Sequence, residues 1–316
     1  MRALACWIVL FFTLPACVAV RLPFPERGPA KEVTVLGEGA DKVVMVEVSG
    51  ILSFRRPWAP AGLPRGESLP ARLRADLDRA RKDPRVRALL VRIDSPGGTV
   101  TASDVLFHEI RSFREEKGVP VVAAIVEKGL SGGYYVALAA DEIVAHPTSL
   151  VGSVGVFVGK VDLSRLMDRW GIRSELTKSG EQKDLLSPLR PLTPEEQATL
   201  QGIVDELDAR FQQTVRAARG QASEADLATI GSAAPFTARR ALELHMVDRI
   251  GYLEDAFRAA LDLAGLDRGR LVAYRRGDPS RITPYSLGAL GAGADAGLLY
   301  LDPSWVRELL EGGVYY

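Results

Sequence analysis

From Val43 onward, short apolar runs alternate with stretches of helical length, and the runs repeatedly end at glycine. That order restricts the chain to an α/β body, because strands joined through intervening helices pair in parallel and bury both faces of their sheet. VVMVEVSG (residues 43–50) reads as a strand ending at a turn, and RALLVRIDS (87–95) as a second, largely apolar one. Between them, LPARLRADLDRARKD (69–83) carries apolar residues at helical spacing and stops before Pro84. The order returns with a helix predicted over 103–117, a strand over 119–126, a buried helix over 131–140 and a short strand in DEIVAHP. Further helices are predicted over 161–170, 194–219, 237–244 and 253–264, with IRSELTK extended after the first. Thr193 is placed to cap the long one and Pro194 to occupy its first position. The predicted layout is a terminal segment (1–20), a Pro- and Gly-rich linker (21–42), the α/β body (43–265) and an accessory tail (266–316).

Composition narrows the function. Forty Lys and Arg balance forty Asp and Glu, so no net field favours nucleic acid. The two cysteines, Cys6 and Cys17, both precede the body, which leaves it without a disulfide, a cysteine metal cluster or a thiol nucleophile. His108, His146 and His245 are widely spaced and match no metal-binding pattern.

Residues 3–20 form an uncharged stretch of eighteen between Arg2 and Arg21, at the lower limit for crossing a bilayer core of roughly 30 Å. Three readings stand: an uncleaved anchor, a lipoprotein processing box at Leu14-Pro15-Ala16-Cys17, and a cleaved signal peptide. Each exports the body, so the expected location is the outer side of a cell membrane.

Two glycine motifs carry candidate chemistry. Asp94-Ser95-Pro96-Gly97-Gly98 follows an apolar strand and precedes a helix, where glycines let backbone amides face a cleft and stabilise an oxyanion. A plain structural turn explains the same residues. Ser131-Gly132-Gly133-Tyr134-Tyr135 puts a serine at a helix start, either as an N-cap or as a nucleophile. A nucleophilic serine needs a base, and His108 and His146 are poorly placed by context. A lysine can serve only if burial or nearby cations lower its ordinary pKa of ~10.4. Lys183 is a candidate for that role.

Taken in order, DSPGG, SGGYY, GSVGV (152–156) and KSGEQKD (178–184) resemble the signal peptide peptidase A family of serine peptidases, over roughly residues 43–264. The resemblance implies Ser131 as nucleophile, Lys183 as general base, Ser153 as the serine that hydrogen-bonds the lysine, and Gly98 and Gly132 as sources of oxyanion-hole amides. Lys178 is an alternative base that aligns less well. The family fold is the ClpP/crotonase-like α/β fold of repeated strand-strand-helix units. The resemblance further implies no cofactor and no metal, apolar peptides such as signal-peptide remnants as substrates, membrane association, and a homo-oligomeric ring in which serine and lysine come from neighbouring subunits. Where the family often has alanine before the serine, this chain has Gly129-Leu130. The tail after Leu266 has no assignable counterpart, and its Tyr315 and Tyr316 motivate the expectation that it lies across the subunit interface or the substrate groove. Two rival functions remain open on the sequence: a crotonase-type acyl-CoA enzyme, and an inactive scaffold of the same fold organising a membrane complex.

Overall fold

The computed structural model describes residues 30–56, 66–275 and 313–316. The predicted anchor and most of the predicted accessory tail lie outside these residues. Among the described residues, no helix is long and apolar enough to cross a membrane.

The chain builds a mixed α/β fold on a largely parallel sheet. In chain order the strands are β1 (Lys31–Gly37), β2 (Lys42–Leu52), β3 (Val86–Gly98), β4 (Val121–Leu130), β5 (Glu142–Ala145), β6 (Leu150–Gly152), β7 (Phe157–Gly159), β8 (Pro235–Thr237), β9 (Arg249–Ile250), β10 (Arg270–Arg275) and β11 (Gly313–Tyr315). The helices are α1 (Leu69–Lys82), α2 (Val100–Lys117), α3 (Gly132–Ala137), α4 (Ser164–Arg169), α5 (Pro194–Ala218), α6 (Glu224–Ile230), α7 (Ala238–Glu243) and α8 (Leu253–Leu263), with a 3-10 turn at Glu181–Asp184. The main sheet runs β1-β10-β2-β3-β4-β5-β9, with β6 paired to β4 and β8 to β6. Only β1 against β10 and β8 against β6 are antiparallel in it. A separate two-stranded ribbon joins β11 to β7.

The central parallel strands are largely apolar because both faces are covered. Along β2, Val44, Val46 and Val48 join Leu73, Leu77, Leu106 and Phe113 of α1 and α2 in one core layer. Val43 and Met45 point the other way, onto Ala256, Phe257 and Ala260 of α8. The strand period of two thus divides one apolar run between two layers.

Capping signals set the helix ends. The Thr193 hydroxyl accepts from Glu196 N and the Glu196 carboxylate accepts from Thr193 N, a reciprocal box at the start of α5. Gly118, at φ 66°, ends α2 in a left-handed conformation that costs glycine little.

The body is larger than the 43–265 expected. β1 comes from the stretch read as linker and β10 from the stretch read as tail, and the two pair with each other beside β2. Each is short and meets its partner only from the far end of the chain, so local pattern could not reveal the pairing. IRSELTK forms no strand, and α3 is six residues rather than the ten predicted.

Candidate active site

β2, β3 and β4 carry the candidate residues at their carboxyl ends, where the loops of an open α/β sheet form clefts. Beyond a register shift between Ser49 and Ile51, β2 continues beside the glycine turn, pairing Ile51 with Gly97 and Leu52 with Gly98. Ser95 is fully buried. Its hydroxyl donates to the Gly50 carbonyl at 2.7 Å and accepts from Gly97 N at 3.1 Å, which ties the turn down. Gly97 adopts φ 109°, and a methyl group there would lie 2.8 Å from Ser131 Cβ and 3.0 Å from Gly132 N. Gly98 faces the Leu52 backbone so closely that no side chain fits.

Ser131 sits where β4 turns into α3. Its backbone has φ 53° and ψ −122°, a region that L residues rarely occupy and that is held only when surroundings over-determine it. Here its N–H donates to the Gly152 carbonyl at 2.6 Å and its own carbonyl accepts from Tyr135 N at 3.0 Å. Tyr134 anchors α3 below it: the buried ring donates its hydroxyl to the Met246 carbonyl at 2.9 Å, and burial pushes its pKa up to about 12. The Ser131 hydroxyl makes no capping bond, so the N-cap explanation of this serine does not hold. Residue 131 is 6% exposed.

The structure brings Ser131, Gly132 and Gly97 together, with Gly98 one residue further along the turn. Ser153 follows the carbonyl that receives the Ser131 amide, itself at φ 53° with its N–H donating to Ala234 O at 2.9 Å. Lys183 is not joined to Ser131 within the chain. It is exposed on the 3-10 turn. That turn is clamped by charge: Asp184 accepts from Lys178 at 3.0 Å and from both Nε and Nη2 of Arg190, whose guanidinium also reaches Glu196 at the start of α5. These bonds, first of all those from Arg190, hold the Asp184 carboxyl far below its usual range and that of Glu196 down to about 2. Lys178 is therefore committed to Asp184 and to the Glu181 carbonyl. His108 contacts Ser112 and His146 contacts Thr148, each away from Ser131.

Residues 313–316 also reach this place. β11 lies on β7, and the Tyr316 N–H donates to the Gly98 carbonyl at 3.0 Å. Among the described residues, no group of His, Cys, Asp and Glu side chains is arranged to hold a metal ion.

Comparison with known proteins bears on this arrangement. Residues 114–267 match peptidase family S49. A Synechocystis sp. protein named as a protease is 40% identical over 192 residues, which is 61% of this chain and 68% of that protein. The chain belongs to peptidase family S49. The Arabidopsis thaliana chloroplast serine protease SPPA is 28% identical to the S49 chain over 84% of its length but only 39% of the plant protein. Protease 4 of Salmonella typhi is 33% identical over 62% of the chain and 31% of the Salmonella protein. This S49 member is a serine peptidase of the SppA type, which sets aside the acyl-CoA alternative.

The matched region contains Ser131, Ser153 and Lys183, whereas Gly97 and Gly98 precede it. The sequence motif singles out Gly98, yet the positive φ of Gly97 and its packing on Ser131 make that neighbour indispensable to the turn. Phe211, whose ring meets that of Tyr135 edge-on at 5.1 Å, carries no sequence signal beyond apolar spacing.

Proposed function

We propose that this S49 peptidase hydrolyses apolar peptides, such as signal-peptide remnants, through a dyad of Ser131 and Lys183 on the outer side of a membrane. The fold proposed for it is the ClpP/crotonase-like one. The observation that carries the reading is the backbone of Ser131, held in a strained conformation against Gly97 with its hydroxyl free of any capping role. A strained backbone at a serine on a strand-to-helix turn is the geometry of a nucleophile elbow.

In the proposed cycle, neutral Lys183 takes the Ser131 hydroxyl proton as the oxygen attacks the peptide carbonyl. The oxyanion is stabilised by the Gly132 amide and by that of Gly98; the Gly97 amide is already committed to Ser95, which favours Gly98 as the donor from this turn. Lysine then protonates the leaving amine and activates the water that releases the acyl group. Ser153 is proposed to orient the lysine.

A lysine acts as a base near neutrality only where desolvation or nearby cations favour its neutral form, which open solvent does not do. Lys183 is exposed in the single chain, and its only hydrogen bond among the described residues is from the backbone N–H to the Gly180 carbonyl, which leaves the ammonium free for a site completed by a neighbouring subunit of a homo-oligomeric ring. The test is hydrolysis of an apolar fluorogenic peptide by the exported body compared with Ser131→Ala and Lys183→Ala proteins of the same assembled size. Loss of activity in both upholds the dyad; retained activity in either removes that residue from it.

A further inference from the structure

Across four neighbouring strands Glu47 pairs with Arg92, Arg92 with Ala124 and Ala124 with Val144. Strand alternation puts this row on the face of the sheet that α8 covers, opposite the face that carries α1, α2 and α3. A pocket of about 350 Å³ lies there, lined by Arg92, Val126, Val144, His146, Tyr252 and Leu253 among others. Main-chain bonds fix its rim: His146 N–H donates to the Ile125 carbonyl at 2.8 Å and Gly251 N–H to the Ala145 carbonyl at 2.9 Å. The pocket is thus built on the far side of the sheet from α3 and the serine that begins it.

Its base holds more positive than negative charge. Arg92 is 5% exposed, and its Nη1 donates to Glu47 Oε1 at 2.9 Å. Arg275 Nη2 donates to the other oxygen of the same carboxylate at 2.8 Å. Two guanidinium groups therefore share one buried carboxylate, and the Nε–H of each is buried with no acceptor among the described residues. A buried charge is held where it is paired, and a surplus is a cost that an incoming anion removes. Asp94, next along the same strand face, is a reluctant counter-ion: burial first and Glu127 second raise its carboxyl above the ordinary range, with Lys128 and Arg92 acting the other way. On the rim, His146 Nδ1 accepts from Thr148 N–H at 3.3 Å, which leaves the proton of the neutral ring on Nε2 as a second donor. The ring stands edge-on to Tyr252, with centroids 4.8 Å apart.

We propose that this pocket is a binding site for a small organic carboxylate, whose oxygens meet the surplus charge at Arg92 and the Nε2 proton of His146 while its alkyl part lies against Val126, Val144 and Leu253. A guanidinium matches the plane and spacing of a carboxylate, which makes this pairing strong as well as directional. The walls fix the class of ligand: an inorganic phosphate would lose its water against valine and leucine, whereas an alkyl acid buries its carbon there. Few polar groups converging among apolar walls is the ordinary form of a small-molecule site.

Calorimetric titration of the full chain with isobutyrate, its neutral isostere isobutyramide and inorganic phosphate tests this. Isobutyrate should bind with a Kd of about 1 mM, as befits so small a ligand. It should bind about tenfold or more tightly than the amide or phosphate, and raise the melting temperature where the amide does not. Arg92→Met, which leaves Glu47 to Arg275 alone, should lose that preference. Val126→Phe fills the pocket from its wall, leaves every charge in place and should also lose binding; it decides the matter if Arg92→Met lowers the melting temperature. No binding of isobutyrate, equal binding of isobutyrate and the amide, phosphate bound as tightly, or affinity unchanged in a folded variant overturns the proposal. Hydrolysis is not read, so the result stands apart from the fate of the proposed dyad.

Discussion

Ser131 shows how one residue can be worth less to the fold than to the chemistry. At φ 53° its backbone occupies a region open to glycine, and its side chain returns no capping hydrogen bond. Ser131→Gly should therefore raise stability by about 1 kcal/mol while abolishing hydrolysis. Thermal melts beside a peptide assay check this, and a lowered melting temperature would show that the conformation is not strained. The serine, its two following glycines and the DSPGG turn are legible in the sequence because each is a local signature of tight backbone. The strain itself is not, since it arises from the Gly152 carbonyl and the α3 backbone gripping Ser131 from two sides. The role of Gly97 is hidden for a related reason: adjacent glycines look alike until one is seen to pack on Ser131 and the other on Leu52.

Among the elements, the 3-10 turn bearing Lys183 depends on a helix start. Arg190 links Asp184 to Glu196, and Glu196 also closes the cap of α5, so the turn and the helix are fastened by the same carboxylate. The Glu196 carboxyl is depressed from the usual 4.5 to about 2, chiefly by its hydrogen bond to Arg190. A carboxyl whose folded pKa lies below its unfolded one stabilises fully above the unfolded value and loses that contribution as pH falls through the folded one. The melting-temperature gap between the parent and Glu196→Gln should accordingly be constant above pH 4.5 and close as pH approaches 2. A gap unchanged across that interval would assign the stabilisation to packing instead. Thr193, Pro194 and Glu196 announce the cap of α5 in the sequence, whereas the bridge from Arg190 back to Asp184 is invisible there because its partners are joined by an irregular turn.

For the whole molecule, the decisive feature is that Lys183 is exposed while Ser131 is buried, with no hydrogen bond joining them among the described residues. Between Ser131 and Lys183 in the chain, Leu166, Trp170, Ile172 and Leu176 leave large apolar side chains exposed, 76% in the case of Trp170, on α4 and the chain that follows it. Large apolar side chains left exposed so close together in the chain are what an interaction face requires. If a neighbouring subunit supplies the lysine, mixing inactive Ser131→Ala protein with inactive Lys183→Ala protein, under conditions that let subunits exchange, should restore hydrolysis. Mixed assemblies without activity, despite demonstrated exchange, would mean that each chain must complete its own site.

The sequence by itself determined the α/β alternation, the limits of half of the described helices, the position of the glycine turns and the family to which the chain belongs, all of which rest on local patterns, whereas Glu224–Ile230 carries too short a pattern to be read. Tertiary structure decided that β1 and β10 complete the sheet, that Gly97 faces Ser131, and that residues 313–316 lie in the groove between β7 and the Gly98 turn. Those outcomes depend on backbone groups and aromatic faces far apart in the chain, whose hydrogen bonds and stacking exist only once the sheet has brought them together.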